Sequence, residues 1–180
     1  MIHSIKPNVT QDEALRMFRA AGPSSWLWRM QTGPLQRIAD AYVPFRLYRV
    51  RYALNKEKVQ RILAMDAVDG SLDLFEFRTA PTGAELVEVQ TRNELPSSLT
   101  EGRALEILRD KALRIVFRQG FFKMREASLE IEALPGGIHL PYWLGFYGAS
   151  DALRCRVMDA VRRQLEGAKA SAFFEQWLAA

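Results

Sequence analysis

Of the side chains that most often hold metals or act as nucleophiles, this chain has few: one cysteine, Cys155, and two histidines, His3 and His139. One cysteine excludes an intramolecular disulfide. Cys155 alternates with Arg154 and Arg156, which predicts an inward-facing strand position. A buried structural thiol fits there better than a nucleophile, which needs a base and an open electropositive site. His139 alternates with Ile138 and Leu140, and no C-x-x-C, H-E-x-x-H or clustered His/Asp pattern exists, so neither metal nor cofactor is expected. No glycine-rich loop opens a helix to cradle a phosphate; Gly136-Gly137 reads as a hairpin turn. Gly-x-Ser-x-Gly is absent, which leaves a serine triad without its elbow. The reading therefore leans away from an enzyme.

Long apolar runs are missing too. Met1-Ile2-His3-Ser4-Ile5-Lys6-Pro7 carries no apolar core of signal-peptide length, and no stretch approaches the roughly 20 apolar residues that span a bilayer. The cytoplasm is the expected location. A net charge of +4 invites a nucleic-acid reading, but the arginines are scattered from Arg16 to Arg163 among acids, with no basic run or recognisable binding module. Nucleic acid is not the expected partner.

What is present is a folded composition, 48% hydrophobic and 26% charged, suited to one globular domain over residues 1–180. It also contains a pseudo-repeat, 34–92 and 98–163, followed by a C-terminal helix over 167–179. Val43-Pro44-Phe45-Arg46-Leu47 leads to Met65-Asp66-Ala67-Val68, and Leu140-Pro141-Tyr142-Trp143-Leu144 leads to Met158-Asp159-Ala160-Val161. The interval is longer in the first copy, as a longer hairpin would make it.

Around these hairpins the patterns predict an α+β fold. Thr10-Gln11-Asp12-Glu13 is a capping box that opens a helix to about Ala21. Pro34 opens another, with Leu35, Ile38 and Ala41 on one side. Strands follow over 45–53, 59–68 and 71–77, with Asp69-Gly70 as a tight turn, and then over Glu85–Thr91. Ser98-Leu99-Thr100-Glu101 is a second capping box; Leu105, Leu108, Ala112, Ile115 and Val116 stripe the long helix that ends at Gly120. Leu129 and Ile131 alternate with Glu130 and Glu132, Pro135-Gly136-Gly137 turns the chain into a strand over Ile138–Tyr147, and another strand covers 153–161. A last helix over Ala168–Leu178 buries Ala172, Phe173 and Trp177 or a similar set. Sequential hairpins imply one curved antiparallel sheet, or two related sheets, with helices packed on one face.

Four features are candidates for more than packing. Pro44 and Pro141 lie inside strand patterns, so each should mark a strand start, an edge or a bulge, bending the sheet or opening a groove beside Tyr142 and Trp143. Asp66 and Asp159 fall in phase with apolar residues, as turn-capping carboxylates or, if the copies face each other, a carboxylate pair. Trp26 and Trp28, between Gly-Pro pairs, serve the core, a docked partner or peripheral membrane contact. Tyr142, Trp143 and Tyr147 concentrate aromatics on the repeated strand.

The helix, hairpin and strand ending in Met65-Asp66-Ala67-Val68-Asp69-Gly70 resemble the PepSY-type module. Met158-Asp159-Ala160-Val161 fits its second copy, with Arg162 and Arg163 in place of the turn and no glycine before Gly167. The resemblance implies an inhibitory or binding role of the kind associated with protease propeptides and envelope proteins. The expected function is a non-enzymatic binding or assembly module whose sheet face near Tyr142, Trp143 and Tyr147 meets a protein of unknown identity. The rival is a carrier of a small apolar ligand, or an enzyme, with a cavity between sheet and helices and Asp66 or Asp159 as polar anchor.

Overall fold

The computed structural model describes residues 1–19, 33–54, 57–118, 129–148 and 154–179. These form β1 (Ile2–Ile5), α1 (Gln11–Arg19), β2 (Leu35–Leu54), β3 (Glu57–Asp66), β4 (Phe75–Phe77), β5 (Leu86–Val89), α2 (Glu101–Arg118), β6 (Leu129–Ala133), β7 (Ile138–Tyr147), β8 (Arg154–Asp159), β9 (Gln164–Leu165) and α3 (Ala168–Ala179). The class is α+β. Among the described residues one mostly antiparallel sheet of nine strands runs β4-β3-β2-β7-β1-β5, with β6 also on β2, β8 on β7, and β9 on β8. Trp26, Trp28 and the expected helix ends at Ala21 and Gly120 lie outside the described residues.

β2 is the spine. Its first half pairs with β7, from Leu35–Tyr147 to Phe45–Ile138, and its second half pairs with β3 on one edge and β6 on the other. The helix expected from Pro34 is therefore a strand. Its three-residue apolar spacing also suits a strand with both faces covered: Ile38 packs toward α1, and Ala41 belongs to the core on the opposite face.

β6 and β7 run in one direction along the same edge of β2, so Pro135-Gly136-Gly137 is a bulge, not the expected hairpin turn. The Leu134 amide keeps the ladder going by donating to the Leu47 carbonyl (2.9 Å), and Gly136 absorbs the extra chain at φ +84°. Glycine serves turns and bulges alike; the partner strand decides between them. β1 was not expected either. Four residues are too few to show a period, yet β1 pairs antiparallel with β5 and, through Ser4 and His139, parallel with β7.

The prolines sit at neither strand starts nor bulges; the register through both is unbroken. Pro44 marks where β2 changes its outer partner. Before it, Tyr42 bonds Asn93 and Leu95 (both 2.9 Å); at it, the Pro44 carbonyl accepts from Ala67 (2.8 Å) and β3 begins pairing. Pro141 does the same on β7, between β1 at His139 and β8 at Tyr142, its carbonyl accepting from Ala160 (3.1 Å). A missing amide hydrogen costs least where one ladder ends and another starts.

Alternation divides the sheet into two buried faces. Tyr48, Val50 and Met65 face Leu108, Ala112 and Val116 of α2. Tyr147 and Met158 face Ala14 and Phe18 of α1 on the same side. α3 departs from the expected single helical face: its Phe173 and Phe174 cover the opposite side, over Val43, Leu140, Tyr142 and Val157. Ala172, expected inside α3, is exposed.

Local chemistry sets the helix starts. In α1 the box forms as expected: the Thr10 amide donates to Glu13 Oε2 (2.8 Å) and the Glu13 amide to Thr10 Oγ1 (3.3 Å). The second box does not form. α2 starts after Thr100, whose carbonyl accepts from Ala104 (2.9 Å), while Ser98 turns outward to bond the first hairpin. The two helix approaches are then anchored alike, each on the other hairpin. The Asn8 amide donates to Ala160 O (2.8 Å) and Asn8 Nδ2 to Val161 O (2.8 Å); the Ser98 amide donates to Ala67 O (3.0 Å) and Ser98 Oγ to Val68 O (2.6 Å). Likewise Trp143 Nε1 donates to Val9 O (3.0 Å) and Arg46 Nη2 to Leu99 O (2.6 Å).

Phe18 lies flat on Gly145, where an added Cβ would stand 3.0 Å from its ring. Gly145→Ala should therefore cost about 1–3 kcal/mol by overpacking. Urea unfolding should show a lower midpoint with unchanged slope; an unchanged midpoint would mean that α1 slides freely on the sheet.

Candidate functional site

Both aspartates are buried at strand ends, and both are turn caps. Asp66 Oδ1 accepts from the amides of Val68 (3.3 Å), Asp69 (3.0 Å) and Gly70 (2.8 Å), and Oδ2 accepts from Leu72 (2.9 Å). Gly70 takes φ +71°, and its bare Cα lets Ile107 of α2 approach. Asp159 Oδ1 accepts from Val161 and Arg162 (both 2.8 Å), while Oδ2 has no hydrogen bond among the described residues and faces Arg162 Nε at 3.8 Å. Burial raises both carboxyl pKa values against amides that favour the charge.

The second turn keeps its shape without glycine. Arg163, placed after Asp159 as Gly70 is after Asp66, holds φ +59°. Its guanidinium donates to Asn8 O and Glu13 Oε1 (both 3.0 Å), bonds that tie the strained residue to the start of α1. Asp66 and Asp159 share no hydrogen bond with each other; each serves its own turn.

The aromatics of the repeated strand point inward. Tyr142 is buried against Phe174 (ring centroids 5.4 Å apart), and burial holds its phenol well above the usual range. Tyr147 is buried and its hydroxyl donates to Phe18 O (2.8 Å). Trp143 is half-buried with its indole N–H on Val9. The expected aromatic sheet face is thus core on both sides. Cys155 is buried as expected, its thiol pushed up to about 12 by burial and then by Glu175.

An open recess lies elsewhere, at the bulge between β6 and β7. It measures about 250 Å³ and is lined by Arg46, Leu47, Tyr48, Glu101, Ala133, Leu134, Gly136 and Gly137. Tyr48 is only 1% exposed, and its hydroxyl has no hydrogen-bond partner among the described residues. Burial raises its phenol pKa, Arg46 beside it pulls the other way, and Glu101 adds a smaller upward push. Trp143 stands two residues after Pro141 as Arg46 stands two after Pro44, anchored on Val9 as Arg46 is on Leu99, and Gly145 with Phe18 upon it stands where Tyr48 does in the first hairpin. The second hairpin is packed there, where the first borders the recess. The sequence signal for the recess was this Arg46/Trp143 difference.

Asp66→Asn should destabilise the fold by roughly 1–3 kcal/mol, because one carboxamide face turns an N–H onto a buried amide donor. Asp159→Asn should cost less, since Oδ2 accepts nothing that an N–H would displace. Equal losses in chemical denaturation would contradict the difference in capping. For Cys155 the folded pKa lies above the unfolded value, so the unfolded chain ionises first. The thiol's contribution is whole below about pH 9 and is lost as pH rises toward 12. Cys155→Ala should flatten that alkaline loss in thermal melts at increasing pH, and iodoacetamide at pH 8 should modify the native thiol only after unfolding.

No family model, curated protein or solved structure matches this chain.

Proposed function

We propose that the chain is a non-enzymatic binding module built from two copies of one strand–helix–hairpin unit. In support of the duplication, the bonds at Pro44 and Ala67 recur at Pro141 and Ala160, and those of Ser98 recur at Asn8. Tyr42 and His139, each two residues before its proline, take the parallel partners Glu94 and Ser4. In support of binding, Asp66, Asp159 and Cys155 are engaged in or enclosed by structure, whereas Arg46 and Glu101 line an open recess. The PepSY-like form of the aspartate-ended strand agrees with a binding role.

The observation that carries this reading is the contrast at matched positions: Arg46 borders an open recess, whereas Trp143 and Gly145 are packed beneath α1.

A thermal-shift screen of small polar compounds tests it, run in parallel on the native chain and on Arg46→Ala. A ligand at 100 times its Kd adds about 2.7 kcal/mol of stability, a shift of several degrees. Hits should stabilise the native chain and lose that effect in Arg46→Ala. If no hit depends on Arg46, the recess is not the binding site.

A further inference from the structure

We infer that β6 is a docking edge, and that it takes an extended segment of another protein in which apolar residues alternate with lysine or arginine. The recess that Arg46 borders begins at the far end of β6, with Ala133, and this contact does not depend on it.

β6 pairs with β2 along one side and, among the described residues, with no strand along the other. Which backbone groups face the free side follows from the ladder. The Leu134 amide donates to the Leu47 carbonyl, and hydrogen-bonded pairs alternate along an antiparallel ladder. Glu130 and Glu132 therefore turn their amides and carbonyls to β2, while Leu129, Ile131 and Ala133 turn theirs outward. Such a row is a template for an incoming strand.

The two faces of the edge set what that strand must carry. On the side of α2, a groove of about 360 Å³ is lined by Leu105, Leu129 and Ile131, with exposed Glu106 and Arg109 at its rim. Glu106 is already paired with Arg103 (2.9 Å), so what the groove offers to every second side chain of the partner is an apolar floor. The opposite face carries Glu130 and Glu132, both exposed. Arg49 and Arg51 neutralise Glu132 (2.9 and 3.3 Å), whereas Glu130 has no ion pair among the described residues. Opposite charges directly across a ladder attract, so lysine or arginine is favoured facing Glu130.

The same glutamates disfavour a second copy of this chain as the occupant. Two β6 edges related by a two-fold axis pair antiparallel. Every register that joins three or more residues of each then sets a glutamate of one copy against a glutamate of the other. Like charges directly opposite destabilise the pair.

The test is fluorescence anisotropy of the full chain at low salt, with blocked seven-residue peptides that alternate valine with lysine or valine with glutamate. The lysine peptide should bind at least ten-fold more tightly, although the net charge of +4 on the chain works against it. Two further lysine peptides, one N-methylated on its valines and the other on its lysines, should differ about ten-fold, because only one set of amides reaches the edge. Glu130→Lys, at an exposed position, should fold normally by circular dichroism and weaken the lysine peptide about ten-fold. Equal binding of the lysine and glutamate peptides, equal binding of the two methylated ones, or no binding at all would overturn the proposal. Binding unaltered in Glu130→Lys would also overturn it, by placing the peptide on another surface. A native dimer that the lysine peptide dissociates would make a second copy the occupant instead. Hits that depend on Arg46 in the thermal screen enter none of these outcomes.

Discussion

The ladder between β2 and β7 is what the rest of the molecule hangs on. Val43 pairs with Leu140 near one end of it, and Tyr42–Pro141 and Pro44–His139 flank that pair in mirrored order. Each strand is longer than one outer partner, so each has to exchange partners partway along. Proline stands at that exchange on both. Its absent N–H ends one ladder without leaving a buried donor unpaired, and its carbonyl starts the next.

From that arrangement the helices follow. The chain leaving β1 crosses to the second hairpin before forming α1, and the chain leaving residues 93–95 crosses to the first before forming α2. The β2–β3 hairpin is covered by α2, and the β7–β8 hairpin by α1 on one face and α3 on the other. The two units are therefore interlocked, and loss of either hairpin uncovers apolar surface from the other unit's helix. The aspartate turns belong to the same device, since the carbonyls that receive each incoming chain lie within the turns that Asp66 and Asp159 organise.

Within this frame the two hairpins differ in how they fill one position. Trp143 with Gly145 and Phe18 closes it; Arg46 borders an open recess. The bulge at Gly136-Gly137 provides the remaining wall, so a distortion of the strand that carries β6 into β7 also shapes the recess. The polar cluster stands beside the core and not within it, where its charges keep part of their solvation.

Short-range chemistry was readable in advance. The Thr10–Glu13 box, the Asp69-Gly70 turn, the inward Cys155 and the hairpin ends at Asp66 and Asp159 each depend on bonds or alternation within a few residues. Partner choice was not. Whether Leu35–Ala41 is helix or strand, whether Pro135-Gly136-Gly137 reverses the chain, and whether Tyr142 looks at solvent or at Phe174 all depend on what lies across a ladder or a layer. The sequence by itself determined the two aspartate-ended hairpins and their turn caps, because those are local requirements on backbone donors and acceptors. Only the tertiary structure decided that α1 covers the second hairpin and α2 the first, and that Arg46 and Glu101 line one recess. Those contacts join residues distant in the chain, and no local pattern encodes them.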